Sequence, residues 1–301
     1  MSNVAVVVSS ENSHYIGWQT TAFCLSSIRY LNIAPIVIVH ATHAPLNDSF
    51  RRLADLGCTI YRAESYRQHP LDDYPPRNEL GSLLVAAELD LNAYSSILFC
   101  ESDLLFTGPL SFAAGVTGQY YSYLKYTEPR VAEIIDQQSL GISPAFLEEH
   151  YQIGVPYLIP QEILRPLSKL WIESLDRFPN LTQIDIMYAF GMVLAKMGIM
   201  PHTQKLLVGN QNPHDPLGAR IIHYCYGDSV WNKRDYLGEA SPFETADLLV
   251  DNFPVRSTGR EILDQISFAA KFDRSALRRA MLKTSMLFRR NGIHLAQDAA
   301  L

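Results

Sequence analysis

Short apolar runs rich in β-branched residues alternate with segments of helical periodicity over the first hundred residues, and this alternation constrains the fold most strongly. Residues 4–8, 36–40 and 97–99 have the length and composition of strands buried on both faces. Residues 18–31 and 48–56 place apolar side chains at helical spacing. Because parallel neighbours need a crossover helix, the sequence predicts an α/β fold with a Rossmann-like, mostly parallel central sheet flanked by helices.

The remaining elements follow from the same periodicities. Further strands are predicted at residues 59–61, 120–125 and 155–159, with an irregular stretch between the last two, and further helices at residues 78–89, 164–178 and 185–197. The last apolar run begins at residue 219 and leads into a polar, aromatic loop that ends near residue 236. We expect residues 1–256 to form one domain and residues 257–301 a helical, basic segment.

The C-terminal segment has a distinct charge pattern. Seven basic residues and one acid lie between residues 271 and 290, on a predicted amphipathic helix. Such a helix can contact an anionic membrane surface or partner. A solvated helix packed on the domain is the more common arrangement, and we favour it.

Charge and cysteine spacing exclude several classes of protein. The net charge of -6 and the pI near 5.8 argue against a nucleic-acid-binding protein. The cysteines include no Cys-x-x-Cys pair, so they predict buried thiols rather than a zinc knuckle or a disulfide framework; they are Cys24, Cys58, Cys100 and Cys225. The first ten residues lack the basic region and the long apolar run of a signal peptide or membrane anchor. We therefore expect a cytoplasmic protein without a transmembrane segment.

Two carboxylates, Glu101 and Asp103, lie between the apolar runs 97–100 and 104–106. A buried charge is costly unless it is paired or binds a metal. The predicted strand ends just before them, and ligands of open α/β sheets collect at the carboxyl ends of the strands. Residues i and i+2 of an extended chain point to one side, so both carboxylates can face one Mn²⁺ or Mg²⁺ ion.

A second candidate ligand, His223, lies at the end of the apolar run that contains Ile221 and Ile222. The chain has neither G-x-G-x-x-G after its first strand nor G-x-x-x-x-G-K-[ST], so a bound diphosphate must be neutralised by another means. An imidazole suits Mn²⁺, and Lys233 beyond it can contact a diphosphate as a point charge. A lone histidine is more often structural, but the acidic pair makes a metal ligand the favoured interpretation.

Six segments, taken in order, carry a resemblance to a known family. They are YIGWQT (residues 15–20), YPPRNELGSLL (74–84), ILFCESDLLFTGPL (97–110), QIGVPYLI (152–159), MYAFGMVLAKMGI (187–199) and IIHYCYGDSVWNKRDY (221–236). Together they resemble the metal-dependent GT-A glycosyltransferases, and within that fold the plant hydroxyproline O-arabinosyltransferases and peptidyl serine galactosyltransferases. The resemblance extends over residues 4–268 and implies that residues 1–256 form a GT-A-like catalytic domain.

The resemblance implies an activity and roles for individual residues. It implies transfer of a sugar from a nucleotide sugar, most simply a UDP-sugar, to a hydroxyl of a peptide, protein or glycan, with retention. Asp103 and His223 would bind Mn²⁺, while Glu101 would bind the ion directly or through water, or contact the ribose. The donor would be held by residues at the strand ends and the first helix turns: Val7, Ser9, Ser10 and Tyr15 for the nucleoside, Asn78 and Ser82 for the sugar, Ser102 in the acidic segment, and Lys233 for the diphosphate.

Several features remain open at this stage. The family's Asn-Lys-Pro is Asn78-Glu79-Leu80 in this chain, so a cation near the donor is lost. Asp185 begins a predicted helix and is either an active-site carboxylate that contacts a sugar hydroxyl or a first-turn charge that caps the helix. Trp231 is the candidate acceptor contact among the tryptophans.

Two alternatives to a transferase are carried forward. One is an inactive relative that binds a nucleotide sugar or carbohydrate without turnover. The other is a sugar nucleotidyltransferase, although such enzymes carry a glycine-rich, basic loop after the first strand and SSENSHYIGW is neither.

Overall fold

The computed structural model describes residues 3–67, 74–205, 207–209, 214–225, 231–238 and 241–274. The strands in these ranges are β1 (Val4–Glu11), β2 (Ile36–His40), β3 (Thr59–Ala63), β4 (Ser96–Cys100), β5 (Leu104–Phe106), β6 (Thr117–Tyr120), β7 (Ile153–Pro160), β8 (His202–Gln204), β9 (Leu207–Gly209) and β10 (Ile221–His223). The α-helices are α1 (His14–Leu31), α2 (Asp48–Leu53), α3 (Arg77–Glu88), α4 (Pro129–Gln137), α5 (Pro144–His150), α6 (Gln161–Leu175), α7 (Asp185–Lys196), α8 (Ala246–Leu249) and α9 (Thr258–Arg274).

The central sheet of the described residues has seven strands in the order β3-β2-β1-β4-β7-β6-β8. Strand β7 runs antiparallel to both neighbours, β4 and β6, whereas the other pairings are parallel. The inner strands are buried on both faces, in agreement with the apolar runs at residues 4–8 of β1 and 36–39 of β2. The predicted α/β fold with a mostly parallel sheet is therefore confirmed.

Two apolar layers cover the two faces of this sheet. Side chains of β1 alternate between them, with Val7 in the layer under α3, α6 and α7, and Val8 in the layer under α1. The second layer also receives α9, in which Ile262 and Ile266 are fully buried. Gln265 in α9 donates a hydrogen bond to the carbonyl of Phe106 at 3.0 Å. The described start of the C-terminal segment thus packs on the sheet layer.

The region between β4 and β7 departs from the sequence prediction. The strand predicted at 120–125 is wrong, since β6 ends at Tyr120 and the chain then turns. Helix α7 stabilises that turn, because the Tyr188 hydroxyl accepts a hydrogen bond from the Lys125 amide at 2.9 Å. The stretch predicted to be irregular contains α4 and α5, each with a proline in its first turn, and Ser143 caps α5.

A second sheet of three strands contains the candidate metal ligand His223 at the end of β10. β10 pairs antiparallel with β5 and parallel with β9, and His223 lies opposite Leu104. The Tyr224 amide continues this pairing by donating to the Asp103 carbonyl at 3.1 Å. β5 follows the two carboxylates directly, so its pairing with β10 brings His223 beside them.

Two further predictions concern the thiols and the C-terminal helix. All four cysteines are free, three of them buried and Cys225 half-buried. Helix α9 is described as far as Arg274, and the basic residues predicted beyond it lie outside the described residues. In the part of the chain that the structure describes, every helix is too short or too polar to cross a bilayer.

Candidate active site

A cleft of about 930 Å³ opens over the carboxyl ends of β1 and β4. It is lined by nine of the residues that the sequence predicted for the site: Ser9, Ser10, Tyr15, Asn78, Glu101, Ser102, Asp103, His223 and Lys233. The turn between β4 and β5, the start of α1, the start of α3 and the end of β10 each contribute to its walls. The predicted candidates are thus brought together by loops at one edge of the sheet, where ligands of open α/β folds bind.

Glu101, Asp103 and His223 meet at the base of this cleft. One ligand atom from each lies within 4.8 Å of the other two. His223 Nε2 is 3.5 Å from Glu101 Oε2 and 3.4 Å from Asp103 Oδ2. A search of the described residues for three or more His, Cys, Asp or Glu side chains with ligand atoms within 4.8 Å of one another finds this one group.

The chemistry of the three side chains fits a divalent cation. Two carboxylates and an imidazole supply oxygen and nitrogen donors, a set suited to Mn²⁺ and similar ions. Their side chains are 28%, 14% and 23% exposed for Glu101, Asp103 and His223, so an ion can enter from the cleft. We refer to these three residues as the acidic-histidine centre.

Charge at the acidic-histidine centre is balanced by Lys233. Its Nζ donates to Asp103 Oδ2 at 2.6 Å. Burial acts to raise the pKa of Asp103, but Lys233 and His223 outweigh it and hold that pKa well below its usual range. Burial and the neighbouring Asp103 raise the pKa of Glu101 to about 7. Asp103 is therefore the carboxylate of this pair whose ionised form is favoured, and both Lys233 and His223 contact it.

The candidate nucleoside side of the cleft is formed by the end of β1 and the start of α1 and α3. Ser9 Oγ donates to the Asn78 carbonyl at 3.2 Å, and Asn78 Nδ2 donates to Glu11 Oε1 at 2.8 Å. The Ser10 hydroxyl is hydrogen bonded to that of Thr20 at 2.9 Å. These bonds fix the β1 end against both helices.

Two predicted donor contacts do not reach the cleft. Val7 is fully buried, because it lies opposite Phe99 of β4 and Ile36 of β2 in the middle of the sheet. Ser82 is also fully buried, one helical turn further from the cleft than Asn78. Both assignments are corrected: Val7 is a core residue, and Ser82 acts on the site only through its neighbours.

Ser82 joins three elements beneath the cleft. Its hydroxyl is 2.8 Å from Ser9 Oγ and 2.8 Å from His40 Nε2. The other ring nitrogen of His40 is 2.7 Å from the Glu64 carbonyl oxygen. Burial lowers the pKa of His40 below its usual value, which favours the neutral imidazole. Ser82 is thus a positioning residue for Ser9.

We expect Ser82→Ala to lower the free energy of unfolding by about 1–3 kcal/mol, because it removes a hydrogen-bond partner from two buried groups. Urea unfolding measures the change. Ser168→Ala is the matched control, since Ser168 is equally buried but bonds only the Leu164 carbonyl of its own helix. Equal stability losses in the two variants would contradict the role given to Ser82.

Asp185 lies outside the cleft and is fully buried at the start of α7. Arg130 of α4 binds both of its carboxylate oxygens, with Nη1 3.1 Å from Oδ2. The Thr182 amide donates to Oδ2 at 2.7 Å. The interpretation of Asp185 as an active-site carboxylate is therefore corrected: both oxygens bond protein groups, and it stabilises the first turn of α7.

The sequence did not predict the aromatic wall of the cleft, formed by residues of β7, α7 and the turn after β6. This wall includes Tyr121, Tyr123, Tyr157 and Met187, and the rings of Tyr121 and Tyr123 are 4.9 Å apart. One residue in the sequence could have indicated this wall: Gly154 of β7, where a Cβ atom would lie 2.3 Å from the Tyr121 ring. A glycine inside a strand indicates close approach of another group, here the Tyr121 ring.

Trp231 is placed differently from its predicted role as an acceptor contact. It is 5% exposed and packs between Tyr224 and Tyr236, with ring centroids 6.2 and 6.4 Å away. We correct that prediction: the ring is a core residue behind the acidic-histidine centre.

Comparison with known proteins identifies the fold. No protein-family model matches the chain, and no curated protein matches it in sequence. The structure of the galactosyltransferase LgtC in complex with donor and acceptor sugar analogues aligns with a TM-score of 0.51 at 13% identity, covering 88% of this chain and 95% of that one. An active-site mutant of LgtC aligns with a TM-score of 0.51 at 15% identity, covering 85% and 99%. The predicted GT-A-like fold is confirmed by this similarity.

Proposed function

We propose that the protein is a metal-dependent glycosyltransferase that transfers a sugar from a UDP-sugar to a hydroxyl of a peptide, protein or glycan, with retention. The observation that carries the proposal is the acidic-histidine centre at the base of a cleft, in a chain with the fold of a galactosyltransferase. The UDP-sugar donor and the retention are proposed from the resemblance of the six sequence segments alone, whereas the comparison with solved structures supports the GT-A-like fold. We further propose a cytoplasmic location and a catalytic domain that spans residues 1–256.

Glu101, Asp103 and His223 would hold Mn²⁺ or Mg²⁺. When bound, the ion supplies positive charge that stabilises a departing diphosphate without the need to protonate it. Asp103 is suited to this role because Lys233 and His223 hold its pKa well below the usual range, which favours the ionised form.

The other cleft residues bind and orient the donor. Lys233 and Arg234 lie on the cleft wall next to Tyr15 and attract the diphosphate as cations. Ser9 and Ser10 offer hydroxyl groups at the end of β1 for the nucleoside. With retention, the acceptor hydroxyl approaches on the face from which the diphosphate leaves, so a separate base on the opposite face is not required.

The proposal predicts that Mn²⁺ and a UDP-sugar stabilise the protein together. A ligand at 100 times its Kd adds about 2.7 kcal/mol to the free energy of unfolding. Thermal unfolding is measured with Mn²⁺ alone, nucleotide sugar alone and both. We expect a rise in Tm that requires both components. The absence of a joint effect for every UDP-sugar tested would contradict the proposal.

A second measurement separates a transferase from an inactive relative that binds the same ligands. Many sugar transferases hydrolyse their donor slowly when water replaces the acceptor, so the bound donor is incubated with Mn²⁺ and release of UDP is followed. Release above the rate in buffer supports the transferase. Binding without release over days identifies a nucleotide-sugar-binding protein.

A further inference from the structure

The side chains of Ser9 and Ser10 line the cleft at the end of β1, although the two residues are only 8% and 3% exposed. Each hydroxyl group has one hydrogen to donate and two lone pairs with which to accept. Both hydroxyls also contact polar groups beneath the cleft. Those contacts therefore decide whether each serine offers its hydrogen or its lone pairs to a ligand.

The direction of the Ser10 hydrogen bond follows from its partner in α1, Thr20. The two hydroxyl oxygens are 2.9 Å apart, and the Thr20 hydroxyl donates to the Ile16 carbonyl at 2.9 Å. Because that carbonyl can only accept, it takes the single hydrogen of Thr20, and the hydrogen between the two hydroxyls must come from Ser10. The reverse direction would leave the fully buried Thr20 and its carbonyl in contact without a hydrogen. Ser10 thus turns its hydrogen inward and faces the cleft with lone pairs.

A longer chain of contacts takes up the hydrogen of Ser9. It links two backbone carbonyls through contacts of 2.7, 2.8, 2.8 and 3.2 Å, in the order Glu64 carbonyl, His40, Ser82, Ser9 and Asn78 carbonyl. Each contact needs one hydrogen, and the carbonyls supply none. The hydroxyls supply one each and the imidazole one or two, so the hydrogens never outnumber the contacts. Ser9 therefore directs its own hydrogen to Ser82 or to the Asn78 carbonyl, and in either case faces the cleft with lone pairs.

The next residue of β1, Glu11, has the same polarity. Its side chain lines the cleft, where Oε1 accepts from Asn78 Nδ2 at 2.8 Å and Oε2 accepts from Arg67 Nη1 at 2.9 Å. An ionised carboxyl group has lone pairs and no hydrogen. Three successive side chains at the end of β1 thus offer only lone pairs to the cleft. We call Ser9, Ser10 and Glu11 the acceptor edge.

We propose that the acceptor edge selects nucleotides by groups that donate a hydrogen bond, and that Thr20 is the positioning residue that gives Ser10 its direction. This inference rests on the proposed function and adds to it the chemistry by which the nucleoside is selected. A uridine nucleotide has two kinds of donor, the ribose hydroxyls and the ring N–H of uracil. A group of similar size that can only accept would meet lone pairs and leave an unpaired polar contact.

The test compares ligands that differ in a donor group. The affinities of UDP, its 2′-fluoro and 3′-fluoro analogues and CDP are measured by calorimetry at saturating Mn²⁺. Fluorine replaces a ribose hydroxyl at similar size but cannot donate, and N3 of cytosine accepts where N3 of uracil donates. We expect at least one of the three to bind about tenfold more weakly than UDP. A loss with a fluoro analogue identifies the ribose as the group at the acceptor edge, and a loss with CDP identifies the base.

Variants of two neighbouring threonines in α1 identify the cause. Thr20→Val keeps the branched shape but removes the oxygen that takes the Ser10 hydrogen, so Ser10 can donate to the ligand. We expect the preference for UDP over the affected analogue to fall by about fivefold or more, and Thr20→Ser to retain it. Thr21→Val is the matched control, because Thr21 is also buried and donates to the Gly17 carbonyl of the same helix at 2.9 Å. It should leave the preference unchanged.

The outcomes separate this inference from the proposed function. Equal affinities for UDP and all three analogues overturn the inference and leave the proposed function standing. An unchanged preference in Thr20→Val, shown to be folded by circular dichroism, also overturns it, as does an equal loss in Thr21→Val. Thr20→Ala removes the same oxygen and takes the place of Thr20→Val if that variant does not fold. If no uridine nucleotide binds the unmodified protein with Mn²⁺, the proposed function fails and this inference fails with it.

Discussion

Asp103→Asn will lose Mn²⁺-dependent binding of the nucleotide sugar by more than about 100-fold and reduce sugar transfer to the background rate. Even an outer-shell partner of a metal ligand is typically worth 10–100-fold, and Asp103 is the carboxylate that both His223 and Lys233 contact. The amide removes the charge while keeping the shape of the side chain. Calorimetry with and without a chelator measures the loss, and a donor-release assay follows the transfer.

The control for this change is Asp136→Asn on the exposed face of α4. It removes the same charge at an exposed residue that does not line the cleft, and it should leave binding and transfer as they are. If Asp103→Asn is folded and still binds the nucleotide sugar in a manner that the chelator abolishes, the acidic-histidine centre is not the metal site. If it transfers sugar in the presence of the chelator, the proposed mechanism is wrong.

Arg130→Met is expected to cause the largest loss of stability, about 2–3 kcal/mol. It leaves the fully buried Asp185 carboxylate without its cation. This value lies below the range of about 3–5 kcal/mol for broken buried ion pairs, because the Arg130 side chain is 38% exposed and part of its interaction is screened by water. Urea unfolding of the purified variant measures the change.

Asp185→Asn separates the structural role from a catalytic one. The asparagine oxygen can still accept from the Thr182 amide, and Arg130 can turn to solvent, so the single change should cost less than Arg130→Met. In the double variant the loss should be smaller than the sum of the two, because no unpaired charge stays buried. An Asp185→Asn protein of full stability that binds donor but transfers no sugar would restore Asp185 to the active site.

The fold was predictable because its strands are buried on both faces. Residues of β1, β2 and β4 form apolar runs that water-exposed strands would not tolerate, and the helices between them have the 3.6-residue period. The region from residue 117 to residue 150 was predicted poorly. There the strand is only four residues long, and the turn after it depends on the Tyr188 hydroxyl, which is distant in sequence.

Candidate site residues were predicted correctly when they lie at the end of their strand or helix, and wrongly when they lie deeper inside it. Ser9 lies one residue beyond the last pairing of β1 with β4 and reaches the cleft, whereas Val7 lies two residues deeper and is covered. Ser9 and Val7 lie on the same face of the sheet, so their different exposure to the cleft comes from their position along the strand. Asn78 and Ser82 differ in the same way, by one turn of α3.

The roles that depend on distant partners could not be predicted. Asp185 is bound by Arg130, which belongs to a helix that the sequence pattern did not indicate. The contact of Lys233 with Asp103 depends on a turn that begins 130 residues after the acid. A local pattern marks such side chains as polar but does not identify their partners.

The pairing of β10 with β5 makes the acidic-histidine centre a late product of synthesis. Glu101 and Asp103 leave the ribosome long before the repulsion between them can be relieved, since His223 follows them by about 120 residues. A nascent or truncated polypeptide that ends before β10 would carry the two acids without their nitrogen ligand. Binding of an ion at this centre would then require that β10 has been synthesised and has paired with β5, and ion affinity would add only to the stability of the completed fold.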